Sequence, residues 1–290
     1  MSHVQTERDV AMRIDVDAVL RQRLPCHYRY IPKALIAWVK RLVCQDKLNW
    51  LLEHNRDRRG ADFCAGVLND LHVTYDIRDA ELLPAGDDSR VTYVCNHPLG
   101  ALDGIAIIDM VARCHPGRPV KFVVNDLLTV LKPLSDIFVP VNKLGAQSRS
   151  EAGHISDVFA GDGPMIVFPA GLVSRRGRRG RIHDLEWHKM FVNKSIESGR
   201  DIIPLYFGGR NSNFFYNFAK LRTRLGLRFN FEMVLLPGEV FRCVGRRFEI
   251  RVGKRISYAD LRGGREAQRQ AREICRKVYL LGARTLDIQS

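Results

Sequence analysis

Apolar and polar positions divide the chain into two stretches with different periods. From Pro32 onward, Leu35, Trp38, Val39 and Leu42 recur at helical spacing, with Lys33, Lys40 and Arg41 among them. Trp50, Leu51 and Leu52 fall on a second predicted helix, and Phe63, Val67, Leu68 and Leu71 on a third. Residues 1–30 are polar and irregular, with one short helix expected over 15–20. Past residue 72 short β-rich runs alternate with helical ones. Val73, Tyr75 and Ile77 show period two, and 91–95, 121–124, 137–141 and 165–168 read as further strands. Residues 202–207 make another despite their proline, and 248–252 a late edge strand. Helices are expected near 126–134, over 150–160, and over 265–281, the last amphipathic. Such alternation predicts an α/β fold: a mixed, largely parallel sheet flanked by helices, with an N-terminal helical segment. The expected division is 1–72 for that segment, suited to membrane association, and 73–290 for the α/β domain.

Composition narrows the class. A chain of 290 residues, 46% hydrophobic, can bury one substantial core or two modest ones. Its 46 Lys and Arg against 32 Asp and Glu leave a formal +14, so an anionic partner is expected: a membrane surface, nucleic acid, or a phosphorylated or acidic substrate. The 7 cysteines form no CxxC pair and no metal-type spacing with histidine, which fits reduced thiols and gives no metal site. No run approaches the roughly 18 apolar residues of a spanning helix, and MSHVQTERDV lacks the pattern of a secretory signal. The expected location is cytoplasmic, soluble or peripheral. Trp38 and Trp50 among basic residues would suit a helix resting on lipid, although packing on a core is the commoner cause of such a stripe.

Candidate chemistry concentrates where strands end. VTYVCNHPLGALDG, residues 91–104, reads as strand, polar loop and helix start. His97 is suited to moving a proton near neutral pH, and Asp103 could orient its imidazole. Asp103 also stands where a helix beginning at Gly104 would take its N-cap. Residues 165–182, MIVFPAGLVSRRGRRGRI, place a proline and a glycine after a buried strand, followed by Arg175, Arg176, Arg178, Arg179 and Arg181. Arginine forks there suit phosphate or carboxylate. His183, Asp184, Glu186 and His188 lack metal spacing and read as exposed polar residues. The aromatics of 211–216 read as core more readily than as the lining of an acyl-chain groove, and GGR at 208–210 lacks nucleotide-fingerprint spacing.

NHPLGALDG paired with VFPAG resembles the glycerolipid acyltransferase superfamily, typified by lysophosphatidic acid acyltransferases. Two more blocks match in order: IFVPVNKLG, with Asn142 and Lys143, and DIIPLYFGG, with Pro204. The resemblance implies that His97 is the general base for an acceptor hydroxyl and that Asp103 orients it. It implies an acyl thioester donor on coenzyme A or acyl carrier protein, with no further cofactor, and Gly100 or Gly171 as oxyanion donors. Asn142, Lys143, Phe168, Pro169, Gly171, Arg175 and Arg176 would contact substrate. Two departures stand out. His97 and Asp103 enclose five residues where the family usually has four, an insertion that Gly100 can absorb, and Ala170 replaces the family's glutamate. The first resembles a bacterial branch named for haemolysins and related to aminolipid synthesis. The second turns the expected acceptor from lysophosphatidic acid toward a lysolipid with an amino-acid head group, whose carboxylate would meet Arg175 or Arg176. The expected partners are a lipid surface on the inner face of the cytoplasmic membrane, the thioester carrier and the lysolipid, with no nucleic acid. The alternatives are an aminolipid N-acyltransferase on this fold and a non-enzymatic basic protein that binds lipid or nucleic acid.

Overall fold

The computed structural model describes residues 13–125, 128–129, 131–141, 149–177, 180–227 and 230–283. Four helices lead the chain: α1 (Val16–Arg23), α2 (Lys33–Leu42), α3 (Gln45–His54) and α4 (Gly60–Asp70). Asp15 caps α1 by accepting from the amides of Asp17 and Ala18. Strand and helix then alternate through β1 (Thr74–Arg78), β2 (Val91–Cys95), α5 (Leu102–Cys114), β3 (Lys121–Asn125), β4 (Phe138–Val141), α6 (Arg149–Ala160) and β5 (Met165–Val167). A two-stranded hairpin, β6 (Arg175–Arg176) and β7 (Ile182–His183), precedes α7 (Met190–Ser198) and β8 (Asp201–Gly208). The chain continues with α8 (Asn213–Arg224), α9 (Leu236–Phe241), β9 (Arg247–Val252) and α10 (Ala267–Ala283).

Seven strands form one sheet in the order β1-β9-β8-β2-β5-β3-β4. Every neighbouring pair is parallel except β8 with β9. The mixed, largely parallel α/β sheet expected from the sequence is therefore present. β2 lies between β8 and β5 and is buried along its whole length, in keeping with its β-branched and aromatic content. Val91, Tyr93 and Cys95 face one core with α4 and α5, while Val94 faces the other with α6, α7 and α10. The amphipathic face of α10 enters through Ala267, Ala271, Ile274 and Val278. Pro204 is tolerated in β8 because the ladder to β9 runs only from Leu205 to Gly208 and so needs no amide from it.

Three expectations are corrected. β9 is an interior strand between β1 and β8 rather than an edge, so β1 and β4 are the edges. The described part of 126–134 holds 3-10 turns, among them Lys132–Leu134, where Pro133 has no amide to donate to an α-helix. Trp38 and Trp50 are not core residues: they are 57% and 54% exposed, and Ile36 is the residue that α2 buries. None of the described helices is long and apolar enough to cross a membrane.

The amino ends of β2 and β5 are pinned by one side chain. Arg200, fully buried, donates to the carbonyls of Phe159 at 2.5 Å, Gly163 at 2.9 Å and Val91 at 3.4 Å, and also to Gly161. Arg200→Leu strands these acceptors away from water and should lower unfolding stability by about 3 kcal/mol. Arg200→Lys should recover little, because a single ammonium cannot reproduce the fork. Urea unfolding monitored by circular dichroism would check both.

Candidate active site

Because β2, β3, β4, β5 and β8 run parallel, their carboxyl ends share one edge of the sheet. His97 leaves β2 there, and Phe168 to Gly171 leave β5. Asn96 ties the β2 end to the β8 end. Its buried side chain accepts from the Phe207 amide at 2.7 Å and donates to the Phe207 carbonyl at 3.0 Å.

The five residues between His97 and Asp103 close into a loop around a carboxylate. Helix α5 begins at Leu102 with Ala101 as its cap, so Asp103 sits inside the first turn and is not the N-cap. His97 Nδ1 lies 3.0 Å from Asp103 Oδ2, which also accepts from the amides of Leu99 at 2.8 Å and Gly100 at 3.3 Å. The second oxygen accepts from the Gly104 amide at 2.9 Å. Burial alone would push the Asp103 carboxyl up, but the His97 charge, its hydrogen bond and the loop amides together hold it below the usual carboxylate range. With Nδ1–H given to Asp103, neutral His97 carries its lone pair on Nε2, the nitrogen free to take a proton. Gly100 makes the loop feasible. It has φ +86°, and a Cβ there would lie 2.9 Å from Leu236 and 3.2 Å from Val173.

A second carboxylate holds the main chain of His97, and sequence reasoning missed it. Asp184 Oδ1 accepts from the His97 amide at 3.2 Å and from the Ser174 hydroxyl at 2.5 Å, while its Oδ2 accepts from Trp187 Nε1 at 2.9 Å. The Ser174 amide donates to the His97 carbonyl at 2.8 Å, and the Asp184 amide to the Tyr279 hydroxyl at 2.7 Å. Burial raises the Asp184 carboxyl above its ordinary range, partly offset by these donors. The reading of His183, Asp184, Glu186 and His188 as exposed polar residues holds for His183, Glu186 and His188 but fails for Asp184, which is held by buried Trp187.

The remaining candidates divide sharply. The Phe168 ring lies 4.5 Å from the His97 ring and walls one side of it. Pro169 accepts from the His188 amide at 3.0 Å, fixing the turn after β5. Ala170 is buried in an apolar cluster with Val94, Val167 and Trp187. The two glycine amides named as oxyanion donors are both engaged, Gly100 with Asp103 and Gly171 with the Phe168 carbonyl at 2.9 Å. Arg175 is turned inward, donating to buried Glu232 at 2.7 Å and covering the Phe215 ring. Glu232 also pairs with Arg222 at 2.8 Å. Arg176 meets neutral groups, Asn213 at 2.5 Å and Asn217 at 3.2 Å. Asn142, Lys143, Arg178 and Arg179 lie outside the described residues. Phe215 and Tyr216 are core, as expected, whereas Phe214 is exposed.

An α/β sheet edge that presents a histidine whose free nitrogen is set by a buried aspartate suits proton abstraction from a hydroxyl at an acyl carbonyl. The sequence agrees: it matches the model of an acyltransferase family over residues 18–288, and the chain belongs to that family. It is 41% identical over 250 residues to the lyso-glycine lipid O-acyltransferase of Bacteroides thetaiotaomicron, a match covering 86% of this chain and 90% of that protein. The lyso-glycine lipid O-acyltransferase of Phocaeicola vulgatus is 40% identical, with 86% and 88% covered. A solved structure, the 1-acyl-sn-glycerophosphate acyltransferase of Thermotoga maritima, overlaps 84% of this chain and 90% of its own at TM-score 0.44 and 14% identity, too distant to carry an argument.

The depressed Asp103 carboxyl has a consequence for acid stability. A carboxyl that titrates lower when folded than its unfolded value of about 4 contributes stability above that pH, and loses it as pH falls through the folded value. In urea unfolding below pH 5, wild type should lose stability more steeply than Asp103→Asn, which has no such group to titrate. Equal slopes would show that the carboxylate is not held as described.

Proposed function

We propose that the protein is a lysolipid O-acyltransferase whose acceptor carries an amino-acid head group, a lyso-glycine lipid or a close analogue. The observation that carries this reading is the His97–Asp103 pair on the loop after β2, in a chain 41% identical to a lyso-glycine lipid O-acyltransferase. His97 Nε2 takes the proton of the acceptor hydroxyl as its oxygen attacks the carbonyl of an acyl thioester carried on acyl carrier protein or coenzyme A. Asp103 stabilises the imidazolium that results. The tetrahedral adduct collapses, the C–S bond breaks, and the departing thiolate receives the proton from His97. The products are an ester and a free thiol, and His97 returns to its neutral form. A thioester is already activated, so alignment, deprotonation and charge stabilisation are what the protein adds.

The head-group part of the reading rests on charge. Ala170 places no carboxylate at the edge, and Arg175 is already paired with Glu232, which leaves Arg176 as the fork suited to a lipid carboxylate. The positive net charge supports work at an anionic membrane surface, taken here as the inner face of the cytoplasmic membrane.

The test is a product assay with purified protein, labelled acyl-carrier-protein and coenzyme A thioesters, and a panel of lyso-glycine lipid, lyso-ornithine lipid and lysophosphatidic acid. Wild type should acylate the amino-acid acceptors in preference to lysophosphatidic acid. His97→Ala should lose at least about a hundredfold in kcat, and Arg176→Ala should raise KM for the lyso-glycine lipid with little change in kcat. Acylation of lysophosphatidic acid with the amino-acid acceptors ignored would overturn the head-group assignment.

A further inference from the structure

Helix α8 has an outer apolar face that the described residues leave largely uncovered, with Phe218 alone half-buried against the cluster beneath the helix. Phe214, Phe218, Leu221 and Leu225 recur at intervals of four, three and four residues, and so lie within about 60° of arc on a regular helix. Phe214, Leu221 and Leu225 are 59%, 53% and 64% exposed, and Leu227 just beyond extends the patch. The Phe214 and Phe218 rings stack with centroids 6.1 Å apart. A helix of a soluble domain usually turns such a stripe inward. Here the inward face is a different set, Phe215, Tyr216 and Ala219.

Charge beside the stripe is one-sided. On one flank of α8 Arg224 lies about 60° round the helix from the stripe and Lys220 about 100°, and Arg176 and Arg210 join them by donating to Asn213 on the same flank. The helix contains no acidic residue. The two carboxylates bonded to this region, Glu232 on Arg222 and Glu239 on the cap residue Ser212, are buried and already paired. An apolar stripe flanked by uncompensated cations complements a bilayer interface with anionic head groups rather than an acidic or neutral protein surface.

The helix is also rooted in the catalytic loop. Asn211, just before it, lies 3.4 Å from the Leu99 carbonyl, and Phe215 and Tyr216 pack with Val173 and Leu236, the side chains that crowd Gly100. One layer of side chains therefore separates the exposed stripe from the loop carrying His97.

We infer that the outer face of α8 is a membrane-docking surface, seating Phe214, Leu221 and Leu225 in the interface of an anionic bilayer with Lys220, Arg224, Arg176 and Arg210 at head-group level. This deepens the proposed function, resting on its lipid acceptor, by naming the surface that brings the active site to that lipid.

Flotation of the full chain with vesicles tests it, using phosphatidylcholine alone and phosphatidylcholine mixed with phosphatidylglycerol. Wild type should float with the mixed vesicles, less so as salt rises. The double variant Leu221→Asp/Leu225→Asp should lose at least about tenfold in partition while keeping the wild-type thermal midpoint, since both side chains are exposed. Lys220→Gln/Arg224→Gln should lose partition on the mixed vesicles only, with a shallower salt dependence. Leu280→Asp, an equally exposed leucine on α10, should float as wild type does. The inference is overturned if wild type does not float, if Leu221→Asp/Leu225→Asp floats as wild type does, if Leu280→Asp loses as much, or if Trp38→Asp on α2 alone abolishes flotation. Failure of the two readings can be told apart. Flotation that depends on α8 without acylation of any lysolipid would uphold the surface and sink the function. Lysolipid acylation with α8 variants that float normally would do the reverse.

Discussion

Asp103 is a full charge held out of water, and the sheet edge is shaped by what that charge requires. A buried carboxylate is expensive unless its lone pairs are met, and here one imidazole and three backbone amides meet them. The amides of Leu99, Gly100 and Gly104 can converge on one side chain only if the chain curls tightly between His97 and α5, and the positive φ at Gly100 supplies that curl. Leu236 and Val173 then close over Gly100 so tightly that a side chain there would collide with them. The five residues between His97 and Asp103 thus form a loop closed around the carboxylate. The loop needs no distortion of α5, because its curl is completed before the helix begins at Leu102.

Orientation of the imidazole and placement of its main chain are handled by separate groups. Asp103 fixes the ring and its tautomer, whereas Asp184, Ser174 and Asn96 fix the backbone of the loop from behind. Trp187 holds the Asp184 carboxylate and Tyr279 its main-chain amide, so the constraint reaches back to α10. Such layered support suits the proposed role of His97, in which a base must be held in line with an acceptor hydroxyl.

Much of this was legible in the sequence, for reasons particular to each element. β2, β5 and β8 are covered on both faces and read as short, mostly apolar β-rich runs, and the His97 loop follows the first of them in an order that resembles known acyltransferases. β9 was read as an edge because a strand's apolar content reports how its faces are covered, not which strands flank it. Asp184 was illegible for a different reason. It follows the two-residue strand β7, its sequence neighbours His183 and Leu185 are exposed, and its contact with His97 spans 87 residues. The tryptophans of the leading helices show the limit of periodicity itself, since a helical stripe states which residues share a face but not whether protein covers it.

Charge at the site argues further about the acceptor. Arg175, Glu232 and Arg222 form a buried group in which one carboxylate serves two guanidinium ions, and both arginines are mostly enclosed. Their excess charge is spent holding the β6–β7 hairpin against α8, and bringing a lipid head group to it would mean displacing Glu232 from a pair it cannot leave without becoming an unpaired buried charge. Arg176, bonded to asparagine amides and lying over the Tyr216 ring, gives up far less when an anion replaces the amides. Arg210 donates to the same Asn213 oxygen, so the two guanidinium ions stand side by side and the proposed carboxylate head group would meet both.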